Sequence, residues 1–484
     1  MFRLLAKQTA IYGVSSIVAR LLNYLLMPFL TRIMTPAEYG VVGDMYAVIP
    51  FALVVLTFGM ETSYFKFAGT AKNHQEKLRV FSTAWGSVTL VALLFFALVM
   101  LFLEPIASVM DYSSHKSYVA IVGAIIALDV ITAVPFARLR ERAQAGRFVV
   151  VRVFSVVINV LLCLFFYGLL PRLTGFWTQI YDPGFGAGYV FVANLIASLF
   201  TLIVLLPSCD GGLKIHWRRL GVMLIYSLPL LLSGIAGTAN EFIDRQMIKY
   251  LMPGDVAMSS LGIYSAVVKI GVVLLLFTQM YRMAAEPFFL SGFDKKDFVK
   301  TNAVALKYFL IVSIVLFLGI SLFSDLFALL VGEDFRQGMD ILPVILLSNI
   351  FSGVVLNLSF WYKQTGATKY AFYVTGIGLV FTLVLNIILI PTFGYMGAAL
   401  ARLACESVMV VVSYYLNRKY YPTPYDIRRI AEYFAVGTLI YIIGLYSALL
   451  SEVLKYFVNL LLVLCFGIYA LKREKINLIK LIKK

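Results

Sequence analysis

The chain has 484 residues, of which 61% are hydrophobic and 14% charged, with a formal net charge of +16 and a mean hydropathy of +0.90. No water-soluble domain of this length is so apolar, so the composition excludes a soluble globular protein and places the chain in a membrane. The positive charge is spread over eight short segments, which excludes the continuous basic face of a nucleic-acid binder.

Apolar runs long enough to cross a hydrocarbon core of ~30 Å recur from end to end. They predict an all-α polytopic membrane protein of about fourteen transmembrane helices, over 8–34, 42–65, 80–103, 117–137, 148–170, 187–207, 220–246, 259–281, 303–323, 341–362, 370–391, 395–416, 430–450 and 455–471. The first run reads as a retained helix, because no A-x-A-like cleavage site follows it. Internal Pro50, Pro135 and Gly234 are tolerable where neighbouring helices or water satisfy the freed backbone groups. Cys163, Cys405 and Cys465 fall in apolar runs and Cys209 in a basic loop, so no disulfide framework is expected.

Lys and Arg are dense in every second connection: thirty lie on one side of the predicted helices and six on the other. That asymmetry predicts that the basic side and both termini are cytoplasmic. The tail KREKINLIKLIKK sets Ile and Leu against Lys at helical spacing and is expected to lie on the anionic inner leaflet, with membrane lipids as its partner.

Charges inside the apolar runs are costly and face wet cavities or one another. The seventh predicted helix carries Asn240, Glu241, Asp244 and Arg245, and the spacing puts Asn240, Glu241 and Asp244 on one face. Arg20, Lys269 and Arg402 lie too deep to snorkel, and Arg20 and Lys269 have no acid three or four residues away. They are the candidate substrate-binding cations. Asn23, Glu61, Asp129 and Glu406 complete the polar candidates for the cleft and for coupling to H+ or Na+. Plainer readings stand beside these. Arg402 and Glu406, four apart, can neutralise each other, while Asp244, Arg245 and Glu61 can be interfacial anchors at helix ends. No metal site and no bound cofactor are expected.

The two halves resemble each other. Tyr39-Gly40-Val41 matches Leu261-Gly262-Ile263 at an offset of 222, and the inner loop FARLRERAQAGRF matches FWYKQTGATKY at the same offset. GFGAGYVFVANLIASL matches FGYMGAALARLACESV, pairing Gly186 with Gly397 at offset 211. Each copy spans six helices, an even number, so the repeat is parallel. The expected domains are an N-terminal six-helix lobe over 1–211, a second over 212–416, and a helix pair with the basic tail over 417–484.

Three stretches, AIYGVSSIVARLLNYLLMPFLTRIMTPAEYG, EFIDRQMIKYLMPGDVAMSSLGIYSAVVKI and NIILIPTFGYMGAALA, resemble bacterial O-antigen and capsule-type oligosaccharide flippases, polysaccharide biosynthesis proteins of the MATE-like superfamily. The resemblance implies two six-helix lobes around a central cleft. It implies alternating access that carries an undecaprenyl-diphosphate-linked oligosaccharide from the inner to the outer leaflet of the bacterial inner membrane, for surface polysaccharide such as lipopolysaccharide. Glycan polymerases and glycosyltransferases are the partners it implies. Arg20 and Lys269 would then lie on cleft helices of opposite lobes, suited to a diphosphate. The first helix lacks a Ser-Arg-x-x-Gly-rich pattern, which ranks a lipid II substrate lower. Glu241 and Asp244 keep a cation-coupled multidrug exporter of the same fold as the alternative. An enzyme is not expected: His74, His115 and His216 lie far apart in loops, and HExxH, GxSxG and P-loop motifs are absent.

Overall fold

The computed structural model describes residues 21–22, 24–290, 295–367 and 369–475. Among these, every regular element is helical. A short apolar helix, α1 (Tyr24–Ile33), leads to Thr35 and α2 (Pro36–Thr57). Thr35 Oγ1 accepts from the Glu38 amide at 3.3 Å, and the Glu38 carboxylate accepts from the Thr35 amide at 2.9 Å. This reciprocal cap, with Pro36 at the first helical position, starts α2 earlier than the predicted residue 42. At its other end Phe58 is left-handed, with φ 36°, so the predicted 42–65 span breaks into α2 and α3 (Met60–Gly69).

The chain continues through α4 (His74–Leu101), α5 (Leu103–Val109), α6 (Lys116–Glu141), α7 (Ala145–Leu164), α8 (Phe176–Ile180) and α9 (Gly188–Leu205). The central helix here is α6. Val130, Val134, Ala137 and Leu139 are fully enclosed, α2, α4 and α9 pack around them, and Trp85 Nε1 donates to the Ile131 carbonyl at 3.1 Å. α10 (Trp217–Leu251) runs unbroken through the charged stretch and packs on α2 and α3. The predicted span 259–281 is two helices, α11 (Gly254–Ile270) and α12 (Val272–Leu290), bent by 46° at Gly271.

Next come α13 (Lys295–Ser321), α14 (Ser324–Ala328), α15 (Leu342–Leu358), α16 (Phe360–Gln364) and α17 (Lys369–Tyr420). α17 holds two predicted spans, divided at Gly394 (φ 59°, ψ −139°), a backbone region that side chains other than glycine's enter only under strain. α18 (Ile427–Tyr446) and α19 (Glu452–Arg473) pack on α13 through Leu318, Tyr433 and Phe466.

Eleven helices among the described residues are long and apolar enough to cross a membrane, or twelve if the bent pair is one span. Two features separate this from the predicted fourteen. α17 counts once although Gly394 divides it, and most of the first predicted span lies outside the described residues. Leu94, Leu98, Ile203, Leu439, Val453 and Leu461 lie exposed on these spans, the surface that lipid covers in a multi-pass membrane protein.

The chain packs as two compact units, Met1–Ser265 and Ala266–Lys484. The first takes in α10 and most of α11. Inside it, residues matched by the repeat touch each other. A methyl group built on Gly40 would overlap the Met258 carbonyl oxygen, and one built on Gly262 would overlap the Pro36 carbonyl oxygen. Residues 36 and 258, like 40 and 262, are related by the offset of 222. The contact is therefore reciprocal, as across a two-fold axis. Elsewhere the structure corrects the alignment. Gly186 (φ 44°, ψ −120°) shares its conformation with Gly394 instead of Gly397, each ending a Pro-x-Phe-Gly turn. The repeated feature is the turn, which the helical Gly397 obscured.

Candidate functional site

A fully enclosed polar centre of the first unit is Asp44 on α2, with no solvent exposure. Lys249 Nζ, on α10, lies 2.7 Å from Asp44 Oδ2 and also donates to the Met110 carbonyl at 2.7 Å. Gln246 Nε2, one turn before Lys249, donates to Asp44 Oδ1 at 2.6 Å, and Tyr112 Oη donates to Asp44 Oδ2 at 2.7 Å. The ammonium stands 4.4 Å from the centre of the Tyr112 ring. Burying both ions is expensive, and the added donors and the carbonyl acceptor are what make the pair tolerable. Sequence reasoning missed this centre. Asp44 falls just inside a predicted helix start, and Lys249 reads as an outer-loop cation.

Asp244, a sequence candidate, is also buried. Its Oδ2 accepts from Tyr264 Oη at 2.5 Å and its Oδ1 from the Arg245 amide at 2.8 Å, with Arg245 Nη1 at 3.6 Å. Glu241 on the same helix is exposed and Asn240 half-buried, so the shared face of the three is not equally enclosed. Arg245 Nη1 donates to the Glu241 carbonyl at 3.3 Å and its guanidinium lies 5.2 Å from the Phe242 ring centre. Asp129, on α6, accepts from Ser198 Oγ on α9 at 2.8 Å. That arrangement can carry a carboxylate, or a proton on it, within the helix bundle.

Glu61 pairs with Arg140 Nη2 at 2.6 Å, one of several ion pairs at that end of the unit. There Lys77 meets Glu141 at 2.8 Å, Arg219 meets Glu76 at 3.2 Å, and Arg138 and Arg142 both meet Asp210. Arg138, which reads as a loop residue, is 2% exposed and lies 3.8 Å from the Phe81 ring centre, because α6 continues to Glu141. Partial burial pushes the Asp210 carboxyl up. The hydrogen bond from Arg142 and the charges of Arg138 and Arg142 outweigh it and hold the group below its ordinary value. Burial likewise works against Glu474, just beyond α19. Hydrogen bonds from Lys307 and Tyr433 and the charges of Lys307 and Arg429 leave it below its ordinary value too.

In the second unit, Lys269 is half-buried two residues before the bend at Gly271, and Arg402 and Glu406 are half-buried on α17. Arg20 and Asn23 lie outside the described residues, as does most of the basic tail. The cysteines are all free, with Cys163, Cys209 and Cys405 buried and Cys465 exposed. Among the described residues, no group of three or more His, Cys, Asp or Glu is placed to hold a metal ion.

A family model described as polysaccharide biosynthesis protein matches residues 5–293. The chain is 25% identical over 231 residues to a protein of Photorhabdus laumondii described as probable multidrug resistance protein NorM, covering 43% of this chain and 47% of that relative. The chain thus spans about half the length of the curated relative it matches. Its fold is similar to a lipid II flippase, MurJ, in an inward closed conformation. The TM-score is 0.76 and the identity 16%, over 97% of this chain and 100% of the other. It is also similar to an inward-facing multidrug resistance MATE family transporter of the MOP superfamily, with TM-score 0.66 and 14% identity, over 88% and 95% of the two chains. At such identities the likeness is one of fold.

Proposed function

The chain belongs to the polysaccharide biosynthesis protein family, and we propose that it is a flippase that moves a polyprenyl-diphosphate-linked oligosaccharide between membrane leaflets by alternating access. The observation that carries this reading is the family match over residues 5–293, since the solved folds include both a lipid II flippase and a drug transporter. In this reading the two copies of the repeat, 1–211 and 212–416, are the moving lobes, fourteen helices cross the inner membrane, and both termini are cytoplasmic. The gathering of Lys77, Arg138, Arg140, Arg142 and Arg219 at one end of the first unit supports that orientation.

Lys269, beside the bend, together with Arg20 and Arg402, supplies positive charge for the diphosphate. Helix breaks at membrane depth are where transporters build such sites. Asp129 and Asp244 are the carboxylates available for coupling to H+ or Na+. Glycan polymerases and glycosyltransferases are the partners this role calls for. The test is expression in a flippase-deficient cell. Return of surface glycan is the expected outcome, and no return at normal protein levels would refute the substrate. The NorM likeness favours a second reading, a cation-coupled drug exporter. It predicts instead that expression lowers ethidium accumulation and leaves surface glycan absent.

A further inference from the structure

Two features meet in the first half of α2. The first is the reciprocal crossing with α11, where Gly40 and Gly262 bring backbone against backbone. The second is Asp44, one turn further along α2, held by Lys249 and Gln246 of α10 and by Tyr112. Both lie in the Thr35 half of α2, whereas the pairs made by Lys77, Arg140 and Arg142 gather beyond its Thr57 end.

We propose that the Asp44–Lys249 pair is a latch that holds α2 against α10 and α11, and that it breaks when the translocation path opens on the face away from the basic loops. The opening motion rests on the transport reading above; the substrate does not enter the argument.

Three observations support a latch over inert packing. The pair joins a helix of the first repeat to the first helix of the second, the junction that must part if the copies move against each other. The fold does not need the charge at this place in both copies: at the offset of 222, Asp44 corresponds to Ala266. The contacts beside it are also easily parted. Gly40 and Gly262 have no side chains to interdigitate, so the crossing closes tightly but can separate without unthreading. The ion pair then supplies a discrete bond, strong when dry and weak once water enters.

The experiment uses the full chain with its native cysteines replaced (Cys163→Ala, Cys209→Ala, Cys405→Ala, Cys465→Ser) and a cysteine pair added, Gly43→Cys with Ser265→Cys. A Cβ built on Gly43 stands 3.2 Å from the Ser265 Cβ. That is a few tenths short of the ~3.8 Å of a disulfide, so a small shift lets the bond form. Oxidation in membranes is expected to close the disulfide in most molecules, read as loss of both sites for a maleimide-polyethylene glycol tag. It should abolish transport, and reductant should restore it. Adding Asp44→Asn should slow the cross-link, because removing one partner of a buried pair shifts the closed-to-open balance by on the order of 100-fold. Adding Lys249→Met to that variant should recover much of the rate, since no buried charge is then left alone.

Cross-linked protein that transports at the reduced rate would overturn the latch, as would equal cross-linking with and without Asp44→Asn. A cross-link slowed by Asp44→Asn, together with no movement of lipid-linked glycan by the reduced protein that keeps Asp44, would sink the substrate reading and support the latch.

Discussion

Substituting Gly40 by alanine tests the reciprocal crossing most directly. The new methyl group would overlap the Met258 carbonyl oxygen, well inside the 3.0 Å that real Cβ atoms keep. Its obstacle is backbone, so no side chain can rotate aside. α2 and α11 would have to move apart by about 1 Å, loosening the Gly262–Pro36 contact as well. Overpacking costs typically about 1–3 kcal/mol, and a backbone obstacle puts this case near the top, about 3 kcal/mol. At roughly 2 °C per kcal/mol for a unit of this size, melting of the purified protein in detergent, followed by tryptophan fluorescence, should fall by about 6 °C. Gly237→Ala is the control. It lies inside α10 with nothing within 4 Å of the added carbon, so the same change should stabilise, by about 0.5–1 kcal/mol through helix propensity. If Gly40→Ala melts with the wild type, the close approach of α2 and α11 is not present in the membrane protein.

Lys269→Ala should insert at normal levels and lose transport. The lost charge-assisted hydrogen bond is worth about 1.5–3 kcal/mol, or roughly 10- to 150-fold in substrate binding. Lys269→Arg should retain more activity than Lys269→Ala; equal loss in both would remove the charge from the explanation. Reporter fusions after Lys77, Arg147, Arg219, Lys296 and Lys419 should read cytoplasmic and those after Asp111, Pro183, Gly254 and Asp334 external, and one swapped adjacent pair would break the topology. Asp210 is held below its ordinary value, so its contribution is complete above the unfolded pKa of about 3.9 and disappears as pH falls through the lower folded value. Asp210→Asn should therefore flatten the acid limb of a stability-against-pH curve below about pH 4. The change should be small, because the carboxylate is half exposed. An unchanged acid limb would mean that Arg138 and Arg142 do not hold it.

The membrane class and most spans were legible because they depend on sums over some twenty residues, where apolar content outweighs local detail. Helix ends depend on single groups, and there the reading slipped. The Thr35–Glu38 cap adds a turn and a half to α2, which moves Asp44 from a helix end to an enclosed position on the helix. Its partner Lys249 is 205 residues away, a pairing that no local spacing rule can reach. Arg138 shows the same limit. A run of arginines reads as a solvated loop, yet the helix carries the first of them under Phe81 and onto Asp210. By contrast, Asp244 was visible as a charge in a continuing apolar run, and it is buried as that cost demands.

The repeat separates packing from chemistry. Between α2 and α11 the backbone contacts are duplicated, with Gly40 on Met258 answered by Gly262 on Pro36. The charges on these two helices are not. Where α2 has Asp44, α11 has Ala266; where α11 has Lys269, α2 has Ala47. Alanine is small enough to occupy either place without disturbing the packing, so both copies can form the same crossing. A fold with two equal halves would offer a ligand two equal half-sites. The diphosphate-linked lipid proposed above has its charge at one end and its hydrocarbon at the other, so it presents two unlike ends to the two halves. Placing an acid in one copy and a base in the other leaves the backbone crossing symmetric and makes the charge asymmetric, which matches the unlike ends of the proposed substrate.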